Sequence, residues 1–441
     1  MKLKIVSVWA LLAISLLHGS AATLTHRYPF SANANDSVGT SHGQLVNTAS
    51  ISGGAVVLDG VSGYVNLPNN IVTGYTSLTI EAWVTDTGSG NWARIFDFGN
   101  SNSGEDFPIG SGTSGSQYLF LTPRSGWNTL LGNYNNSTTA QSVEWLGTAL
   151  PTNVRQHIVW ATDGDSQMGW LYVNGVLVGS NTSMTLTPAA LGNTVNDWIG
   201  RSQFNDPLFK GSISDFRIYN GALSALQVVV DLTAGPGQLV ADPGVLQSIN
   251  LQAAATMPLG TTQTPVVIGN FANITNINLL LVPGVIYTSS NTNALTVNAA
   301  GRITAVSSGV ATITASYAGM SGSQTIYISA PPQTLTHRYS FTANANDSEG
   351  SANGVLSGGA VIANSNVVLN GSSAFVDLPN NMFTNLNSLS FEAWFTDNGS
   401  GGWARLWDFG NSTGGEGNQG SGISQMFLSV WSGSGAVFAD L

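Results

Sequence analysis

The sequence contains no cysteine and little charge, and each shortage excludes a class of protein. Without cysteine, the chain has no disulfide, no thiolate metal site, no cysteine nucleophile and no lipid-modified cysteine. Charged residues make up only 8% of the 441 residues, whereas about 25% is typical of globular proteins. The formal net charge is −11. Because there is no basic surplus to neutralise phosphates, we expect no nucleic-acid partner.

The N-terminus has the pattern of an export signal. Lys2 and Lys4 precede an apolar run over 5–17, and small residues follow it over 19–22. This pattern predicts a secretory signal peptide over residues 1–22, and its apolar run is too short to span a bilayer. No later apolar run is long enough to do so. We therefore expect an exported protein that is secreted or held at the cell surface.

The chain contains an internal repeat with an offset of 311 residues. Residues 23–100 align without a gap to 334–411, and 46 of these 78 positions are identical. The match includes EAWVTD at 81–86 and EAWFTD at 392–397. Such self-similarity indicates a duplicated domain. The second copy lacks counterparts of roughly the last 100 residues of the first, so we expect a truncated domain and a fragment of a longer protein.

Short alternating runs predict strands throughout the first copy. Leu78–Val84 alternates apolar and polar residues, which is the period of a strand. Asn174-Gly175 is a strong hairpin signal between two such runs. Leu223–Leu232, with Ser224 near its start, is the one plausible helix. Many short strands between turn residues favour a β-sandwich.

Composition marks three domains after the leader. Glycine and proline between 234 and 244 end the first domain at about 235. The segment 245–330 has no tryptophan, is rich in threonine and valine, and alternates in short strands, so it predicts a second β-sandwich. Pro331-Pro332 forms a stiff linker. Residues 334–441 are then the incomplete second copy, and the predicted fold class is all-β.

Two family resemblances are carried by motifs in this sequence. Residues 23–235 resemble the laminin-G-like domains of the concanavalin A-like lectin/glucanase superfamily, which are jelly-roll sandwiches. The motifs that carry this resemblance are HRYPF at 26–30, LDG at 58–60, SLTIEAW at 77–83, RIFDFG at 94–99, LYVNG at 171–175 and GSISDFRIYNGALS at 211–224. Residues 245–330 resemble a group-two bacterial Ig-like domain through YTSSN at 287–291, GRITAV at 301–306 and GVATITA at 309–315. Both families imply modules of secreted or surface proteins, but neither implies one ligand.

The superfamily includes glucanases, so catalysis has to be considered. Retaining hydrolysis needs two carboxyl groups about 5–5.5 Å apart. The natural strand arrangement for such a pair, E-x-D-x-x-E, does not occur here. Glu81 and Asp86 are five positions apart, which places them on opposite faces of a strand. We therefore expect no catalytic residues and no enzymatic activity in this chain.

A calcium site is the more credible metal chemistry. Asp36, repeated as Asp347, follows the first strand, and the resembled jelly roll places its first strand beside its last. Asp36 would then lie near the loop of Asp206, and carboxylate oxygens suit calcium. The competing interpretation is that Asn35-Asp36-Ser37 forms an Asx turn.

Aromatic and arginine side chains in loops are the candidates for ligand binding. Trp92, Trp127 and Trp145 lie in or beside predicted loops, with Arg94 and Arg124 nearby. Trp92, repeated as Trp403, has two open interpretations: it supports its loop structurally, or it faces a ligand.

The leading hypothesis is a secreted, non-catalytic protein that recognises glycans or cell-surface ligands, with the Ig-like domain as a spacer. One alternative is the targeting part of a larger extracellular enzyme whose catalytic domain lies beyond Leu441. A second alternative is a purely structural or adhesive surface protein.

Overall fold

The structure, a computed structural model, describes residues 22–330, 334–384, 386, 388–416, 418 and 420–440. The predicted signal peptide lies almost entirely outside these residues. The chain divides into two units, Met1–Pro331 and Pro332–Leu441. No helix among the described residues has the length and apolarity needed to cross a membrane.

The first part of the chain is a jelly roll of two antiparallel sheets. Its strands are β1 (Thr23–Tyr28), β2 (Gln44–Val46), β3 (Ser50–Ser52), β4 (Ala55–Asp59), β5 (Tyr64–Leu67), β6 (Ser77–Asp86), β7 (Phe96–Ser101), β8 (Gly115–Thr122), β9 (Leu130–Asn135), β10 (Ala140–Trp145), β11 (Gln156–Asp163), β12 (Met168–Val173), β13 (Val176–Asn181), β14 (Asn196–Ile199) and β15 (Lys210–Asn220). Sheet A has the order β13-β12-β11-β6-β15-β4-β3, with β1 also paired to β15. Sheet B has the order β10-β9-β8-β7-β14-β5-β2.

The core lies between the inner faces of the two sheets. The alternation predicted for β6 is confirmed, because Leu78, Ile80, Ala82 and Val84 all join this core. Trp160 packs on Gly132, where an added Cβ would lie 2.6 Å from the indole ring. A side chain at that position would therefore displace the tryptophan.

One α-helix, α1 (Ala225–Ala234), covers the outer face of sheet A. This confirms the predicted helix with a shift of two residues. The Ser224 side chain accepts a hydrogen bond from the N–H of Gln227, as an N-cap does. Val228 packs against Val159 and Tyr172 of sheet A. Two 3₁₀ turns, Pro188–Leu191 and Leu279–Leu281, are the remaining helical segments of the described residues.

A charged network fills the space on the outer face of sheet A beside helix α1. Glu81 of β6 lies 2.7 Å from His157 Nε2 and 3.0 Å from Arg217 Nη1, and it accepts a 2.8 Å hydrogen bond from the Tyr219 hydroxyl. Burial would raise the pKa of Glu81, but the hydrogen bond and charge of His157 and the charge of Arg217 outweigh it and lower that pKa. Glu81 is therefore held as a carboxylate although it is fully buried.

A bulge in β15 supplies the second carboxylate of this network. The ladder between β15 and β6 shifts register between Ile213 and Phe216, and Asp215 has a φ of 145°. Asp215 accepts hydrogen bonds from the guanidinium groups of Arg217 and Arg27 and from the N–H of Gly237. The bulge thus ties the chain that leaves helix α1 to the jelly roll.

The predicted second β-sandwich occupies residues 246–329. Its strands are β16 (Leu246–Gln252), β17 (Thr256–Pro258), β18 (Thr262–Gln263), β19 (Val266–Phe271), β20 (Ile277–Asn278), β21 (Ile286–Ser289), β22 (Leu295–Val297), β23 (Ile303–Ala305), β24 (Gly309–Tyr317) and β25 (Met320–Ser329). They form three small sheets, β16-β19-β20, β17-β25-β24-β21 and β18-β23-β22. The Ig-like family of this sandwich stays a prediction.

Helix α1 belongs to two cores at once. Val229 and Val230 are buried in the same apolar cluster as Leu279 and other core residues of the second sandwich. At the predicted Asn174-Gly175 hairpin, an added Cβ on Gly175 would lie 3.0 Å from Leu281. The small sandwich is therefore packed against the jelly roll through the helix, and the two form one compact unit.

The second unit contains the strands β26 (Val355–Ser357), β27 (Val361–Ala363), β28 (Asn366–Val368), β29 (Phe375–Asp377), β30 (Arg405–Ser412), β31 (Gly422–Ser429) and β32 (Phe438–Asp440). Residues 388–397, which repeat β6, are not a strand, and the side chain of Trp394 is 85% exposed. In the first copy β6 pairs with β11 and β15. The sequence as given has no second copy of either neighbour.

Candidate functional site

The outer face of sheet B is covered by loops at its centre. Arg201 lies 4.1 Å from the ring centre of Trp198 and 4.6 Å from that of Phe107. Its guanidinium also donates to the Tyr64 hydroxyl at 2.9 Å and to the Phe107 carbonyl. Since Arg201 is buried, this cation–π cluster holds the 101–114 loop on the sheet and is closed to ligands.

Arg94, a predicted ligand-binding residue, lies in a second buried cluster on this face. Its guanidinium carbon lies 3.7 Å from the ring centre of Phe120, and its nitrogens contact Asp97 at 3.2 Å and Asp206 at 2.9 Å. It also donates to the carbonyl of Trp92. Arg94 is therefore fully engaged and holds the Trp92 loop in place instead of facing solvent.

Burial leaves Asp97 short of partners. Burial raises the pKa of Asp97 to about 7 despite the charge of Arg94. One oxygen of Asp97 is buried without a hydrogen-bond partner.

Trp92 and Trp127 form a pair at the rim of sheet B. Their rings meet edge to face, with centres 5.6 Å apart at 83°. Trp92 is half-buried with a φ of 67°, and its backbone N–H donates to the carbonyl of Arg124 at 2.7 Å. Trp127 is 73% exposed. The half-buried Trp92 thus packs against Trp127, whose own ring faces solvent.

The remaining two predicted binding residues have different positions. The Arg124 side chain donates to Asn128 Oδ1 at 2.8 Å within the same turn as Trp127. Trp145 ends β10, is half-buried and packs partly on the core. Of the five predicted residues, Trp127 is thus exposed, Trp92, Arg124 and Trp145 are half-buried, and Arg94 is buried.

Two adjoining depressions form a groove along the seam between the edge strands β10 and β13. One has a volume of about 450 Å³ and reaches Trp127. The other has a volume of about 650 Å³ and reaches Thr182. Both are lined by Ser142, Glu144 and Leu146, so the two are continuous. We call this feature the seam groove; sequence reasoning missed Glu144 because a single carboxylate in a strand carries no motif.

Asp36 and Asp206, the predicted calcium ligands, belong to different networks. The Asp36 carboxylate accepts hydrogen bonds from the backbone N–H of Arg27, Val38 and Gly39, each at 3.0 Å, and lies 2.7 Å from His26 Nδ1. Asp206 instead contacts Arg94. A carboxylate surrounded by N–H donors does not fit a cation, and no cluster of potential metal ligands occurs among the described residues. The competing Asx-turn interpretation agrees with these contacts.

We expect Asp36→Ala to lower the free energy of unfolding by about 2–3 kcal/mol, because it strips several N–H donors of their charged acceptor. Calcium and EDTA are expected to give the same melting curve. Burial would raise the pKa of Asp36, but the hydrogen bonds from Gly39 and His26 outweigh it and lower the pKa below 3.8. This stabilisation is therefore present at neutral pH and is lost as the pH falls below about 4. A calcium-dependent rise in melting temperature that Asp36→Ala removes would contradict this prediction.

The second unit repeats part of the Trp92 cluster with other residues. Arg405 lies 3.4 Å from the ring centre of Phe427 and 3.3 Å from Asp408. The N–H of Trp403 donates to the carbonyl of Trp431, which takes the backbone place of Arg124. The partner that meets Trp403 edge to face is Phe438, 5.7 Å away. The two copies therefore share the cluster of arginine, aspartate and aromatic side chains but differ in the residue that packs on the tryptophan.

These features define a class: a lectin-like jelly roll with a groove at one edge and an exposed tryptophan beside it. Residues 59–229 match the laminin-G family model described as the concanavalin A-like lectin/glucanases superfamily. This part of the chain is a domain of that superfamily, as its motifs predict.

Similar solved structures include sugar-binding domains. Domain 4 of AbnA, an extracellular GH43 arabinanase from Geobacillus stearothermophilus solved with arabinotriose, is 22% identical, with a TM-score of 0.39 over 47% of this chain and 97% of that chain. The CBM40 of the Ruminococcus gnavus IT-sialidase, bound to α2,3 sialyllactose, is 14% identical, with a TM-score of 0.32 over 40% and 95%. The Trypanosoma rangeli sialidase in complex with sialic acid is 17% identical, with a TM-score of 0.35 over 46% and 32%. A search of curated proteins finds no match.

Proposed function

We propose that this chain is an exported, non-catalytic recognition protein that binds glycans along the seam groove of its jelly roll. The observation that carries the proposal is Trp127, whose ring is 73% exposed at one end of the groove and is supported by Trp92. Tryptophan is enriched among the residues that dominate binding energy at interfaces, and its ring offers a ligand a large apolar face.

The groove has the mixture of surfaces that a sugar needs. A sugar ring has an apolar C–H face, which stacks on an aromatic ring, and hydroxyl groups, which need hydrogen-bond partners. Beside Trp127 and Leu146, the groove offers the hydroxyl of Ser142 and the carboxylate of Glu144, whereas the Thr129 hydroxyl is buried against Ser125. Apolar and polar groups therefore alternate along a shallow surface, as an oligosaccharide requires.

The non-catalytic part of the proposal rests on the carboxylates. Glycoside hydrolysis uses two carboxyl groups about 5–9.5 Å apart. Among the residues that line the groove in the described part of the chain, Glu144 is the one carboxylate. Asp97, with its raised pKa, lies buried in the Arg94 cluster and does not line the groove.

Trp127→Ala is expected to weaken glycan binding about tenfold or more, the usual loss on truncating an aromatic anchor. The measurement is a glycan array on the exported chain, followed by calorimetric titration of the best ligand. Trp127→Phe keeps an aromatic face and is the matched control, expected to retain most of the affinity. Unchanged binding by Trp127→Ala, or no binding by the unmutated chain, would rule out this site. Binding that yields product on long incubation would contradict the non-catalytic role.

A further inference from the structure

We propose that the seam groove selects glycans with free amino groups, such as glucosamine chains, over neutral and acidic ones. This inference rests on the function proposed above. It starts from Glu144, which lines both depressions and so lies at the middle of the groove. Its backbone pairs with Leu131 of β9, and its side chain has no hydrogen bond or ion pair within the described residues.

No basic side chain lines the groove in the part of the chain that the structure describes. Arg94 and Arg124, the two arginines predicted to bind a ligand, do not line it. Arg94 is paired with Asp97 and Asp206, and Arg124 is bonded to Asn128. The chain as a whole carries a net charge of −11. The charge of Glu144 is therefore left for a ligand to neutralise.

An unpaired carboxylate acts on ligands according to their charge. A protonated amine gains attraction beside it, a hydroxyl gains an ordinary hydrogen bond, and a uronate or sialate carboxylate is repelled. Because the two depressions meet at Glu144, a chain that occupies both must pass this residue. A polymer with an amine on every sugar places a cation there whatever its register along the groove.

The test titrates the full exported chain at mildly acidic pH with three hexasaccharides. These are the hexamer of glucosamine, cellohexaose and the hexamer of galacturonate. The unmutated chain is expected to bind the glucosamine chain about fivefold more tightly than cellohexaose, and the galacturonate more weakly than either. The preference for the amine should shrink as salt is added. Glu144→Gln should lose the preference and bind the glucosamine chain no more tightly than cellohexaose.

Asp165→Asn is the matched control, because it removes one exposed carboxylate from a turn outside the groove. It should leave the preference intact, whereas an equal effect of both variants would assign the preference to net charge and overturn the proposal. Equal affinity of the unmutated chain for glucosamine and cellohexaose, or a preference that survives Glu144→Gln, would overturn it too while glycan binding stands. The proposed function itself would fail if the unmutated chain bound none of the three hexasaccharides and Trp127→Ala did not change binding on the glycan array.

Discussion

Arg217→Met lowers the free energy of unfolding of the first unit by about 3–5 kcal/mol, the usual cost of leaving buried charges unpaired. Arg217 is fully buried and contacts Glu81 at 3.0 Å and Asp215 at 3.0 Å, and its guanidinium lies 4.5 Å from the ring centre of Trp83. Methionine fills part of the space but donates no hydrogen bond. Two buried carboxylates then lose one of their cationic partners, and Glu81 keeps His157 while Asp215 keeps Arg27.

Urea denaturation of residues 22–330 measures this loss. Arg155→Met is the matched control, because Arg155 is exposed, and its change should stay within about 0.5 kcal/mol. The double variant Glu81→Leu/Arg217→Met should lose less than the sum of its single variants, since it removes both charges of the pair. A loss below about 1 kcal/mol for Arg217→Met would show that the network contributes little.

Val230→Asp is expected to separate the jelly roll from the small sandwich. Val230 is fully buried in the cluster that helix α1 shares with residues 246–329. An aspartate there has no cation to pair with in that apolar cluster, and burying it costs about 3–5 kcal/mol. Because the two domains share this core, the unmutated segment 22–330 should unfold in one cooperative transition and the variant in two.

Scanning calorimetry distinguishes these outcomes. Val61→Asp introduces the same carboxylate at an exposed site of the jelly roll and should preserve the single transition. Two transitions in the unmutated segment would mean that the helix contact is too weak to couple the domains. The expected result also bears on the spacer hypothesis, because a docked domain holds a fixed position and a tethered one does not.

Local sequence pattern predicted the strands well where their neighbours exist. Residues 81–86 and 392–397 differ at one position. The first segment lies in β6 between β11 and β15, whereas the second is not a strand. A strand is completed by hydrogen bonds to its neighbours, and those partners are distant in sequence. Alternation alone therefore predicts the potential for a strand and leaves its pairing open.

The candidate site was predictable only in part for the same reason. Trp127 can be identified as a candidate from the sequence because it is an aromatic residue in a predicted loop. The burial of Arg94 depends on Phe120 and Asp206, and the pairing of Glu81 with His157 joins residues 76 positions apart. Such contacts are set by sheet order, which the sequence pattern does not specify. Glu144 is significant through its position on the edge strand β10, and sheet order decides that as well.

The shared helix has a consequence for how this chain could be recombined. The repeat offset of 311 residues spans one jelly roll and one small sandwich together. A crossover near residue 240 would part helix α1 from half of its apolar cover, whereas a crossover at Pro331-Pro332 would leave that core intact. The segment that keeps this shared core together is therefore the jelly roll with its sandwich. Grafts onto other proteins should begin at residue 22 and end near residue 330.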